Sequence, residues 1–143
     1  MPAALTVTIE GLPELQAFFD RITPGRGASF VHKALVACAL TVQADAATNR
    51  IQRSAPTGAP ANPPPGPLIS RTGTLRRSIR VDRSGIPRYV DVGSDLVYAA
   101  VHELGGRHTQ PRPFLAPALQ ATAGRFQAIF EAEWAREIAA AKA

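Results

Sequence analysis

Residues Ser29–Arg53 read SFVHKALVACALTVQADAATNRIQR, and the fold turns on how this stretch is arranged. Val31, Leu35, Cys38, Val42 and Ala46 fall at helical spacing, and Val36, Leu40, Ala44, Ala47 and Ile51 form a second row beside the first. Two adjacent rows make a wide apolar face, so the pattern predicts one long helix lying across a sheet or inside a bundle. Ser29 reads as its cap, and Pro56 stops it soon after Arg53.

On the C-terminal side follows PTGAPANPPPGP, Pro56–Pro67. Prolines at this density exclude helix and central strand, which predicts an exposed, extended arm over about 56–70. A semi-rigid spacer or arm suits this composition better than a ligand for an aromatic groove. Thr72–Ser78 is expected to form one helical turn capped by Thr72. Ser78–Asp82 and Arg88–Gly93 alternate as two strands around the turn Ser84–Pro87, with Ile79, Val81, Val90 and Val92 inward and Arg80 outward. Val97–Leu104 reads as a short helix that places Tyr98 and Val101 near the core and ends at Gly105 and Gly106. From Phe114 a long C-terminal helix is expected, with Pro117 in its first turn and Leu119, Ala123, Phe126, Phe130, Trp134 and Ile138 in one row. On the N-terminal side, Leu5–Ile9 alternates as a strand, and Leu12 to about Ile22 reads as a short helix with Pro13 in its first turn. The sum is an α+β fold: a small, mostly antiparallel sheet packed against a long central helix and a long C-terminal helix, within one domain, 1–143.

The bulk numbers narrow the function classes. The chain has 143 residues and a net charge of +5. That balance suits an acidic protein surface or nucleic acid. Lys33 and Lys142 are the only lysines, so the basic character is arginine, which pairs in planar, bidentate geometry. The single cysteine, Cys38, lies in the apolar helical stretch and reads as a buried thiol. There is no apolar run of bilayer length and no secretory leader pattern, so a soluble protein made in a reducing cytoplasm, without membrane contact, is expected.

No constellation for catalysis emerges. His102–Glu103 with His108 lacks the four-residue spacing that puts two imidazoles on one helical face, and the glycine pair intervenes. No nucleophile elbow, dinucleotide fingerprint or P-loop is present. Asp82, Asp91 and Asp95 lie beside Arg80 and read as a solvated, salt-bridged surface. No enzyme, metal or cofactor is expected. Residues 71–112 are basic, through Arg71, Arg76, Arg77, Arg80, Arg83, Arg88, Arg107 and Arg112. Nucleic-acid binding would want interleaved aromatics, and only Tyr89 and Tyr98 are at hand. A protein–protein surface therefore fits better, with a basic DNA-binding accessory protein as the competing class. Its expected contacts are Pro60, Pro63, Pro64, Pro65 and Pro67 of the arm, together with Arg71, Arg76, Arg77 and Arg80.

Three landmarks occur in fixed order. The first is Ala55–Pro56 followed by Thr72–Gly73–Thr74–Leu75–Arg76–Arg77–Ser78–Ile79. The second is Tyr98–Ala99 with Val101–His102–Glu103–Leu104–Gly105. The third is Pro111–Arg112–Pro113–Phe114–Leu115–Ala116–Pro117–Ala118–Leu119. With the opening Ile9–Glu10–Gly11–Leu12–Pro13–Glu14–Leu15, this order resembles the phage neck or tail-completion family, the gp-ten-like proteins of long-tailed phages, over nearly the whole chain. The Pro-rich stretch and Arg107–Gln110 depart from the family pattern.

The resemblance implies a structural virion protein at the head–tail interface. It would complete the tail or join it to the head connector as part of a ring of its own copies, six-fold or a multiple. Partners would be the connector or stopper and the tail terminator or tail tube proteins, with DNA in the lumen contacted without specific binding. It implies scaffold roles for Thr72, Gly73, Leu75, Ser78, Tyr98, Ala99, Glu103, Gly105, Pro113, Phe114 and Pro117. Tyr98 and Phe114 would be anchors around a turn, while Glu103 would pair with an arginine or accept backbone N–H groups there.

Overall fold

The computed structural model describes residues 17, 21, 27–52, 68–86 and 89–142. The expected strand Leu5–Ile9 lies outside the described residues, as does most of the helix Leu12–Ile22. Helix α1 runs Gly27–Asp45. A π-helical turn, Ala46–Arg50, follows it, and then strand β1, Ile51–Gln52, which pairs in parallel with β2, Leu68–Ile69. After α2, Thr74–Ser78, strands β3, Arg80–Asp82, and β4, Asp91–Gly93, pair antiparallel. Helices α3, Val97–Leu104, α4, Leu115–Ala123, and α5, Phe126–Lys142, complete the chain.

The fold is α+β, with two small pairs of short strands among the described residues and a long helix at the centre. Helix α1 packs against α4 and α5 and against β3 and β4. Its first apolar row is core throughout: Val31, Leu35, Cys38, Val42 and Ala46 are all buried. The second row is not. Leu40 is 44% exposed and Ala44 is also exposed, whereas Phe30, Ala34 and Ala39 are buried instead. The buried stripe is thus rotated towards α5, where Phe30 meets the rings of Phe130 and Trp134 edge-on, 6.0 and 5.4 Å between centroids. Each large side chain buried in this way contributes roughly 1.5–3 kcal/mol. The ion pair Lys33 Nζ–Glu137 Oε2, 3.0 Å, spans the same helix pair at the surface.

The long helix differs from expectation at both ends. Gly27 is already helical, so Ser29 lies inside the helix rather than capping it. It ends eight residues before Arg53, because the turn at Ala46–Arg50 widens. There Asp45 accepts from Asn49 Nδ2 at 2.6 Å and from Arg50 Nε at 2.8 Å, four and five residues on. Holding both partners suits a wider turn. Ile51 leaves it in an extended conformation and is fully buried in β1.

The parallel β1–β2 pair gives the Pro-rich stretch a topological place, since parallel neighbours require a crossover connection and residues 53–67 supply it. The expected arm of 56–70 is therefore too long at its C-terminal end. Leu68 and Ser70 are buried, and Ser70 N donates to Gln52 O at 3.0 Å.

The expected C-terminal helix is two helices. The chain breaks at Gly124, and Arg125 N donates to Thr122 O at 2.9 Å. The break lets α4 pack against α1 and the π-helical turn after it, while α5 meets the start of α1 through Phe30 and Lys33. Ala123, placed in the apolar row by helical spacing, is exposed at this break.

Candidate functional site

The second and third landmarks meet at one junction, the end of α3 and the start of α4. Helix α3 ends where Gly105, at φ +84°, donates its N–H to Val101 O at 2.9 Å. That left-handed conformation is why glycine stands there. Gly106 and Thr109 then exchange backbone hydrogen bonds of 2.8 and 3.2 Å, leaving Arg107 and His108 at the exposed tip. The chain returns with Arg112 N donating to His102 O at 2.6 Å. Pro113 follows, and Phe114 is fully buried.

Glu103 is the pivot of this junction. It is 6% exposed, and its carboxylate accepts from Phe114 N at 2.7 Å, Leu115 N at 2.9 Å and Ala116 N at 2.8 Å. These are the donors that a helix start leaves without intrahelical partners. The next residue is Pro117, which has no N–H to satisfy. A side chain from α3 and one proline together complete the start of α4, which has no side-chain cap of its own. Of the two roles open to Glu103, backbone capping is the one observed. A buried carboxylate held by three N–H groups, facing the positive end of a helix, locks α3 and α4 into a fixed relation.

The first landmark makes a similar joint. Gly73, at φ +74°, precedes α2, and its N–H donates to Ser70 Oγ at 2.8 Å. Gly73 thus takes the N-cap position expected of Thr72. Thr72, one residue earlier, still serves the helix start: its Oγ1 accepts from Thr74 N at 3.4 Å, and its carbonyl accepts from Arg77 Nη2 at 3.1 Å. Leu75 is buried. Ser78 donates to Leu75 O at 2.7 Å, which leaves the Ser94 hydroxyl to donate to Ser78 Oγ, 2.7 Å away. Ser94 Oγ also accepts from Leu96 N at 3.2 Å, so this chain of hydroxyls ties α2 to the entry of α3. Ser70, Ser94 and Gln43, whose amide donates to Ile79 O at 2.6 Å, are joint residues that the sequence reading missed. Isolated hydroxyls and amides carry no spacing signal that would have singled them out.

The expected contact residues divide into two groups. Pro60, Pro63, Pro64, Pro65 and Pro67 lie outside the described residues, so the structure neither joins them to the arginines nor separates them. Of the others, Arg71, Arg77 and Arg80 are exposed and Arg76 is half-buried. Arg80 is ion-paired with Asp95. Arg77 turns back onto Thr72, and Arg80 turns towards the start of α3.

Helix α3 shows the clearest departure from expectation. Tyr98 and Val101 do not face the core; Ala99 and Glu103 do. Val97 and Leu104 are the most exposed large apolar residues described, at 84% and 67%. A family model for bacteriophage HK97-gp10-like tail components matches residues 14–105. The chain belongs to that family. The HK97-gp10-like match takes in α1, both strand pairs, α2, α3 and Glu103, and ends where α3 does. The third landmark, which carries the N–H groups that Glu103 binds, lies beyond it. No curated protein and no solved structure matches this HK97-gp10-like chain. Among the described residues no group of His, Cys, Asp and Glu is placed to hold a metal, and no helix is long and apolar enough to cross a membrane.

Of the titratable groups shifted by their surroundings, three bear on the core, the joints and the hairpin. Burial pushes the Cys38 thiol up to about 11, which keeps it protonated and unreactive. Burial, then Arg112 nearby, holds His102 below the ordinary imidazole value, so it stays neutral. Burial, then the charge of Asp82 directly opposite on the hairpin, holds Asp91 above the ordinary carboxylate value. Asp91 Oδ1 is buried without a hydrogen-bond partner.

Proposed function

We propose that this tail component is a non-enzymatic structural protein at the head-proximal end of the tail, where it completes the tail or joins it to the head connector as part of a ring. The observation that carries the reading is family membership across residues 14–105. The geometry supports it, because the landmark residues build joints between elements. Glu103, which looks reactive by type, has its carboxylate committed to three backbone donors. Rings follow from head-to-tail contacts between copies, which use two different surfaces of the same chain.

The test is genetic. Particles made without the protein are expected to give filled heads and unjoined tails, or tails of faulty length, in electron micrographs of the lysate. Complete particles at normal yield would refute the proposal. The basic charge keeps a DNA-binding accessory role as the second reading. It requires gel-shift affinity for duplex DNA that falls steeply with salt.

A further inference from the structure

Helix α3 is fastened by its inner face and bare on its outer one. Val97, Val101 and Leu104 recur at the i, i+4, i+7 spacing of one stripe, and Tyr98 flanks it. These four residues are 84%, 37%, 67% and 43% exposed. Scattered surface hydrophobics need no explanation, but a contiguous aliphatic stripe on one short helix does.

The end of the stripe is basic. The turn carrying Arg107 and His108 is pinned beside it: a Cβ added to Gly106 would lie 3.2 Å from Val101 Cγ1. His102, edge-on to Tyr98 at 5.9 Å, is held neutral, so the charge at this end is arginine's: Arg107 on the exposed turn, with Arg112 beside His102. A complementary surface must offer aliphatic side chains with a carboxylate beside them.

A second copy is poorly equipped to supply that carboxylate from its described surface. Asp95 is paired with Arg80, Glu133 with Arg136 and Glu137 with Lys33. Asp45 is held by Asn49 and Arg50, Asp82 by Ser84 N–H and Glu131 by Gln127. Glu103 is saturated, and Asp91 has its Oδ1 buried. The chain as a whole carries +5, so copies repel one another at long range. Duplex DNA offers phosphate to Arg107 but nothing apolar to Val97 and Leu104.

We infer that the outer stripe of α3, with Arg107 at its end, is the docking surface for a different virion protein, one that presents aliphatic side chains bordered by carboxylates. This rests on the reading of the chain as a tail component. The test places the photo-cross-linking residue p-benzoylphenylalanine at Val97 in cells complementing a strain that lacks the gene, and then irradiates purified particles. The exposed position tolerates the substitution. The expected product joins this chain to an Asp- or Glu-flanked aliphatic segment of another structural protein. A cross-link to a second copy, to DNA or to nothing, in particles that contain the protein, overturns the inference while leaving the tail reading intact. Particles lacking even the wild-type chain overturn both. As a second arm, Arg107→Glu is expected to lower incorporation at least about fivefold, by adding repulsion at the rim, with the melting temperature of the free protein unchanged. Incorporation at the wild-type level would also overturn the inference.

Discussion

Glu103 illustrates how one side chain can determine a joint. Replacing it with alanine would leave Phe114, Leu115 and Ala116 N–H groups in a largely buried site without their acceptor. Each such loss costs about 1–3 kcal/mol, so Glu103→Ala is expected to destabilise the protein by at least ~3 kcal/mol, measured as a fall in the urea midpoint. A midpoint shift under about 1 kcal/mol would mean that the cap carries little of the fold. Asp91 makes the opposite case. Its folded pKa lies above its unfolded one, so its contribution to stability is fully present below the unfolded carboxylate value and is lost as pH rises through the raised folded value. Asp91→Asn removes a partly desolvated charge and its repulsion from Asp82, and is expected to stabilise by a few tenths of a kcal/mol at neutral pH, given solvent screening. Thermal melts should show that gain closing below about pH 4. A gain that persists in acid would place its cause elsewhere.

At the scale of elements, α1 separates what periodicity can resolve from what it cannot. Leu35 and Leu40 both lie in rows of the apolar pattern, yet Leu35 is buried and Leu40 is on the surface. Leu35→Asp is expected to abolish folding, since it buries an unpaired carboxylate, whereas Leu40→Asp should cost under ~1 kcal/mol in denaturant melts. A well-folded Leu35→Asp protein would move the core off this face. The hairpin's inward residues and the bounds of Val97–Leu104 were legible because alternation and a glycine stop are local signals. The orientation of α3 was not: nearly every residue of Val97–Leu104 is apolar or aromatic, so spacing does not say which side is inner. Glu103 decides it, through donors eleven to thirteen residues away. The widened turn after Asp45 and the break at Gly124 were equally illegible, because each depends on what the next element must reach. The landmark order, by contrast, pointed to the family that the match over 14–105 shows.

At the scale of the whole molecule, the Pro-rich connection and the exposed arginines bear on assembly rather than folding. Residues 53–67 link two parallel strands and Leu68 is core, so the connection is best changed without shortening it. Replacing Pro60, Pro63, Pro64 and Pro65 together by serine, and separately the double change Arg76→Glu with Arg77→Glu, is expected to keep the melting temperature within a few degrees while lowering incorporation into particles. Wild-type infectivity in both variants would show that neither is an interface. The central claim concerns place, and gold-labelled antibody against the protein on intact, purified particles tests it most directly. Labelling is expected where the tail meets the head, on nearly every particle that binds antibody. Labelling along the tail shaft or at its distal tip, or complete particles that lack the protein altogether, would contradict the account.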